Sequence, residues 1–89
     1  MKAIMTVISA DRVGIIAEIT TLLASMSVNI LDLSQTIMGG IFTMTILVDT
    51  STSGYDFEEI RSALTEKGES ASLTIRIQRA DIFNAMYRI

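Results

Sequence analysis

The chain has 89 residues, 49% of them apolar, a formal net charge of −3, and neither cysteine nor histidine. A chain of this length predicts one domain over residues 1–89 with a single core, and so high an apolar share indicates that part of its surface packs against a partner. The missing cysteines exclude disulfides and thiolate nucleophiles, and the missing histidines remove the usual general base and metal ligand. We therefore expect a protein without catalytic activity, metal or cofactor.

Charge and hydropathy also restrict the partners. A nucleic-acid partner is not expected, because phosphate binding needs a basic face and this chain is acidic. A membrane partner is not expected either, because no apolar run approaches the roughly 20 residues of a membrane-spanning helix. The N-terminus enters a strand pattern at once, without a secretory leader, which predicts a cytoplasmic protein.

The first half of the chain predicts strand, helix, strand. Lys2–Ser9 is apolar on both faces, which is typical of a central strand buried on both sides. Val13–Met26 repeats apolar residues at three- and four-residue spacing and predicts a helix. Val28–Met38 predicts the second strand.

A hairpin at Gly39-Gly40 leads to a third strand, Ile41–Asp49. The predicted register pairs Met38 with Ile41, Ile37 with Phe42, Leu33 with Ile46, and Leu31 with Val48. A slip of one residue would mix polar and apolar faces, so the pattern specifies the register. Gln35 falls on the apolar face in this register; a bulge that turns it outward is favoured over a buried polar contact.

The second half predicts a helix and a fourth strand. Asp56 and Glu59 have the spacing of a capping box, and Gly68 is expected to end that helix. Ser72–Gln78 alternates as a strand does, and Asp81 could cap a short C-terminal helix. The order β-α-β-β-α-β predicts a ferredoxin-like α+β fold, with an antiparallel sheet, two helices on one face and the terminal helix added. Right-handed crossovers put strands one and three in the centre.

The segment Asp11-Arg12-Val13-Gly14-Ile15 carries the functional hypothesis. It follows a strand and opens a helix, where backbone N–H groups lack partners and the helix dipole is positive. The N–H groups of Val13, Gly14 and Ile15 could receive a carboxylate, because Gly14 has no side chain to block its approach. Asp11 could receive an ammonium group. Both signs of charge in one loop suit a zwitterion such as a free amino acid.

Each of these residues also has an ordinary structural interpretation. Asp11 could simply cap the helix, and this is the favoured interpretation. Gly14 could permit close packing of helix on sheet, while Arg12 is expected to be a solvated side chain. Asn29 follows a helix end, where asparagine is common for turn reasons alone.

The chain resembles the ACT-domain family, small regulatory modules that bind amino acids. The resemblance rests on the element order, on Asp11–Ile15 and on Val28-Asn29-Ile30 at the start of the second strand. The family commonly has D-R-P-G-[IL] in the loop, and Val13 takes the proline position here. The tail from Asp81 to Met86 looks like the ending of free-standing members of the family. The resemblance implies a ligand set of Asp11, Arg12, Val13, Gly14, Ile15, Asn29 and Ile30.

The second strand also predicts a homodimer. It is an edge strand without lysine or proline, and Asp32 is its only charge; such edges invite pairing with another chain. Antiparallel pairing of two copies through this strand would bring Asn29 of the partner subunit to the loop around Gly14.

Three functions follow from these observations. The leading one is an amino-acid sensor that acts on a separate, unidentified protein partner, and the second is a module that dimerises without any ligand. The weakest is acylphosphatase-type hydrolysis, which ferredoxin-like folds also host. Arg12 and Asn29 fit it superficially, but the glycine-rich phosphate cradle is missing and Asn29 lies on the wrong strand.

Overall fold

Four strands and two helices follow one another in the predicted order in a computed structural model that describes residues 1–80. The elements are β1 Lys2–Ala10, α1 Ile15–Ser25, β2 Asn29–Met38, β3 Ile41–Asp49, α2 Phe57–Ala71 and β4 Thr74–Arg79. The expected C-terminal helix beginning at Asp81 lies outside the described residues. The ferredoxin-like βαββαβ fold is confirmed.

The sheet has the strand order β2-β3-β1-β4, and every neighbouring pair is antiparallel. The prediction that strands one and three are central is therefore confirmed. The core lies between one sheet face and the two helices; it includes Met5, Met44, Ile19 and Ile60. The prediction that β1 is buried on both faces is wrong for a single chain, because the second face carries no helix within residues 1–80 and Ile8 there is 43% exposed.

The predicted register of the β2–β3 hairpin is confirmed from the turn to the middle of the strands. Met38 pairs with Ile41, Ile37 with Phe42, and Leu33 with Ile46. The predicted pair of Leu31 with Val48 is wrong: a register shift between Ile30 and Asp32 leaves Leu31 as an extra residue, and Ile30 pairs with Val48. Such a bulge bends the edge strand.

The two ends of α2 differ in how well the sequence predicted them. The capping box is confirmed, since Asp56 accepts from the Glu59 N–H and the Glu59 side chain accepts from the Asp56 N–H. The prediction that Gly68 ends the helix is wrong: α2 continues to Ala71, and Ser72 adopts the left-handed conformation after it. Gly68 instead permits a close contact, because a Cβ there would lie 2.6 Å from the carbonyl oxygen of Leu73.

Candidate functional site

The corner between β1 and α1 is built around Gly14. The Asp11 N–H donates to the carbonyl of Gly40 over 2.8 Å, which ties the corner to the hairpin turn. Gly14 has φ +93° and serves as the N-cap, and the Glu18 N–H donates to its carbonyl over 3.0 Å. The helix thus begins at Ile15, two residues later than predicted, because a positive φ at Gly14 cannot belong to a right-handed helix.

Because α1 begins at Ile15, its unpartnered backbone N–H groups lie slightly later in the chain than the sequence predicted. The N–H groups of Ile15, Ile16 and Ala17 precede the first residue whose N–H has an intrahelical acceptor, so helix geometry leaves them free. Val13 and Gly14 lie before the first turn, and Ile15 is the one predicted donor that lies within it.

Two of the structural interpretations at this corner are wrong. The described residues supply no side-chain cap to α1, so Asp11 is not the cap of the helix. Apart from Gly14 itself and its two chain neighbours, no heavy atom of residues 1–80 lies within 4 Å of the position that a Cβ on Gly14 would take, so close packing does not require this glycine. The positive φ requires it instead, and the space beside it is open.

A groove of about 510 Å³ lies against this corner. Its lining includes Asp11, Arg12, Gly14, Ile16, Gln35 and Ile37. The predicted bulge at Gln35 is wrong, because Gln35 pairs regularly with Met44. Its side chain is exposed and lines the groove beside the corner, whereas the sequence had offered it only as the less favoured alternative of a buried polar contact near the site. The available signal was its place in the correct register, two residues from Ile37 on the same face.

Arg12 lies at the rim of this groove, and its side chain is exposed as predicted but also makes polar contacts there. Its Nη2 lies 2.7 Å from Oε2 of Glu18 and donates to the carbonyl of Ala71 over 3.2 Å. Lys67 Nζ lies 3.7 Å from the other Glu18 oxygen. These contacts join the β1–α1 corner to the end of α2 and neutralise the guanidinium. Asp11 has no ion-pair partner within residues 1–80, so it is the uncompensated charge of the corner.

The edge beside the groove is apolar and uncovered. None of the ten residues of β2 is buried, although the strand contains five large apolar side chains. Ile37 is 60% exposed and Met38 79% exposed at its end, while Val13 in the corner is 98% exposed. Monomeric proteins seldom leave an unprotected edge and large apolar side chains together.

Asn29 and Ile30 lie at the opposite end of the sheet from the corner. Asn29 pairs with Asp49, which in turn pairs with Lys2 at the start of β1. About eight strand residues, or roughly 26 Å, therefore separate Asn29 from the corner in one chain. The turn interpretation of Asn29 is wrong, because Ser27 has the positive φ of that turn and Asn29 is the first strand residue.

Asp49 sits beside Asn29 and has a perturbed carboxyl group. Its Oδ1 accepts a hydrogen bond from the Ser51 N–H at 3.0 Å and lies 3.5 Å from the N-terminal ammonium. The hydrogen bond from Ser51 is the main reason that the pKa of Asp49 is lowered from its ordinary value of 3.8. A fixed negative charge thus lies at the Asn29 end of the sheet.

Comparison with known proteins identifies the family. The family model described as the ACT domain matches residues 2–78. The chain belongs to the ACT-domain family. A UPF0237 protein from Clostridium acetobutylicum is 51% identical to this ACT domain over 89 residues, covering 100% of both chains. The resemblance stated from the sequence is thereby confirmed.

Solved structures agree with this assignment. An ACT domain protein from Streptococcus pneumoniae has a TM-score of 0.83 and 40% identity, and the match covers 98% of each chain. A formyltetrahydrofolate deformylase from Pseudomonas syringae has a TM-score of 0.77 and 32% identity; the match covers 88% of this chain and 27% of that one. The same fold is thus found both in a protein of matching length and as a minor part of a longer one.

Metal-ligand clusters and membrane-spanning helices are both absent from the described residues. Within residues 1–80, the aspartate and glutamate side chains form no group of three or more that could hold a metal ion. In the same range, neither helix is long and apolar enough to cross a membrane.

Proposed function

We propose that this ACT domain is a non-catalytic regulatory module that binds a free amino acid at the β1–α1 corner, between the two subunits of a homodimer. The observation that carries the proposal is the geometry at Gly14. A positive φ turns the chain there, and open space lies where a Cβ would be. Free N–H groups and an uncompensated carboxylate border that same space. A zwitterion needs both kinds of partner close together.

Each part of an amino acid has a chemical match in the corner. The ligand carboxylate would accept from the N–H groups of Ile15–Ala17, where the helix dipole favours negative charge. The ammonium group would donate to Asp11. The ligand side chain would extend along the groove towards Gln35 and Ile37, which line it. Arg12 would act as a positioning residue, because its contacts with Glu18 and Ala71 fix the corner.

The uncovered edge supports the homodimer. Antiparallel pairing of β2 with β2 of a second copy would satisfy the free edge and cover Ile37 and Met38. It would also bring Asn29 of the partner subunit and Ile30 of the partner subunit to the corner, since each strand's start meets the other's end. A ligand held by both subunits would stabilise the dimer by mass action. The cytoplasmic location and the separate protein partner stay predictions.

Thermal shift measurements with each of the twenty amino acids test the proposal, followed by titration calorimetry of those that raise the melting temperature. We expect at least one to bind with a dissociation constant of about 1 mM or lower, a free energy of about −4 kcal/mol. Asp11→Asn should weaken that binding without changing the fold, because it removes one ionic contact. Glu69→Gln, which removes an exposed carboxylate from α2, outside both the corner groove and the edge strand, is the matched control.

Light scattering on the same samples tests the dimer. A monomer at all concentrations, or no amino acid that binds at 10 mM (roughly −3 kcal/mol), would refute the proposal. The second candidate, a module that dimerises without a ligand, is favoured by the exposed apolar side chains of Ile37 and Met38. A stable dimer whose melting temperature no amino acid raises would support this alternative.

A further inference from the structure

A second groove lies on the helical layer, away from the amino-acid corner. It runs between α1 and α2 on their solvent side and has a volume of about 510 Å³. A neighbouring depression of about 690 Å³ shares Leu22, Ala63 and Glu66 with it and continues to Ser70. The two form one channel along α2, named here the helix groove. It shares no lining residue with the groove at Gly14.

The floor of the helix groove is apolar. Leu22 and Ala63 are half-buried, and Met26 is nearly buried between the helices. Tyr55 forms the end wall and is 50% exposed. Apolar side chains left partly open in a channel gain free energy when another apolar surface covers them.

The rim of the helix groove is strongly acidic. Residues 56–69 contain five carboxylates and two basic side chains, so this segment carries a net −3, as much as the whole chain, and the rest is neutral. Glu58 pairs with Arg61 at 3.3 Å, and Lys67 pairs with Glu18 of α1. Glu66 and Glu69 have no ion-pair partner within residues 1–80.

The acidic side chains follow the helix axis. Residues 58, 62, 66 and 69 are spaced by three or four, so Glu58, Glu66 and Glu69 lie on one side of α2. That side faces the helix groove, because Glu58 and Glu66 line it directly and Glu69 lines its continuation. An apolar floor thus runs beside a negative ridge over the length of α2, about 22 Å for its 15 residues.

We infer that the helix groove is the docking surface for a partner protein, which binds through a basic amphipathic helix. The floor requires apolar side chains at the i, i+3, i+4 and i+7 spacing of one helical face. The ridge requires lysine or arginine beside that stripe, since opposite charges steer and orient the encounter. Nucleic acids and anionic lipid surfaces carry the same sign of charge as the ridge and are repelled by it.

Three synthetic peptides test this inference on the full chain by fluorescence anisotropy. The first is a labelled helical peptide of leucine and lysine with leucine at the four stripe positions. The second replaces every lysine by glutamate, and the third replaces every leucine by serine. We expect the first to bind and the other two to bind at least about tenfold more weakly, because each lacks one of the two required features.

Two matched substitutions locate the binding. Glu66→Lys should weaken binding of the leucine–lysine peptide about tenfold, and the effect should shrink at high salt. Thr74→Lys introduces the same side chain on the exposed face of β4 and should alter the affinity by less than about twofold, because Thr74 lines neither part of the helix groove and lies outside the edge strand β2. Tyr55→Ser should weaken binding without any change in charge.

Several outcomes would overturn the inference. Equal losses for Thr74→Lys and Glu66→Lys would show that the binding is general charge attraction. Full affinity of the serine peptide would show that the apolar floor does not contribute. A change in oligomer mass with Glu66→Lys would assign the helix groove to a second copy of this chain. Tighter peptide binding by Phe83→Ser would assign it to residues 81–89. Failure of the amino-acid titrations would leave these results unaffected, because the two grooves are separate.

Discussion

Replacing Gly68 by alanine sets two measurable effects against each other. In an exposed helix interior this change is stabilising by about 0.5–1 kcal/mol, because alanine has the better helix propensity. At Gly68, however, the added Cβ would lie 2.6 Å from the carbonyl oxygen of Leu73 and 3.6 Å from Cγ1 of Ile75. The first distance requires backbone movement, and the Leu73 N–H donates to Gly68 over 2.8 Å at the same point.

Overpacking of this kind costs about 1–3 kcal/mol, so we expect Gly68→Ala to lower the free energy of unfolding by about 1 kcal/mol or more. For a domain of this size that corresponds to a loss of roughly 4–8 °C in melting temperature. Urea denaturation at a fixed protein concentration measures it. Gly54→Ala is the matched control, because no atom of residues 1–80 outside Gly54 and its chain neighbours lies within 4 Å of its Cβ position and its φ is not positive. A Gly68→Ala protein as stable as that control would refute the close contact.

Three further predictions concern single interactions. Asp56→Ala should lower the free energy of unfolding by about 1 kcal/mol in urea through loss of the capping box, and Asp56→Asn should restore most of it. The lowered pKa of Asp49 adds stability that is present above pH 3.8 and is lost as the pH falls below it. Asp49→Asn should therefore flatten the acid limb of a curve of stability against pH. An unchanged acid limb would argue against the Ser51 hydrogen bond. A double-mutant cycle between Arg12 and Glu18 should give a coupling of about 0.5 kcal/mol, since both side chains are partly exposed; zero coupling would mean that Arg12 does not fix the corner.

Hydrophobic alternation predicted the hairpin register well as far as Leu33, because a slip there would bury threonine and expose isoleucine. It did not predict the bulge, since Ile30 and Leu31 are both apolar and either can be placed opposite Val48 without burying a polar group. The alternation of apolar and polar residues specifies the two faces of a strand. It does not locate an inserted residue where two neighbouring residues are equally apolar.

Glycine positions were harder to interpret than apolar ones. Gly68 predicted a helix end because glycine is common there. Its role in the structure is instead to permit close approach to Leu73, which depends on the distance between α2 and β4. At the corner, the residue type of Asp11 predicted the N-cap of α1, but Gly14 is the N-cap in the structure. The sequence therefore pointed to the residues of the candidate corner, while the role of Gly14 as N-cap and the place of Gln35 in the groove required the tertiary structure.

The parallel course of β1 and β2, both antiparallel to β3, keeps the Gly14 corner and Asn29 apart within one polypeptide. In the proposed dimer, each ligand would therefore contact the Gly14 corner of one subunit and Asn29 of the partner subunit. Mixing a Gly14→Ala protein with an Asn29→Ala protein would then produce hybrids in which one site carries both defects and the other carries none. Each hybrid dimer would then have half of the binding capacity of a normal dimer, although both parents are inactive, as in subunit complementation.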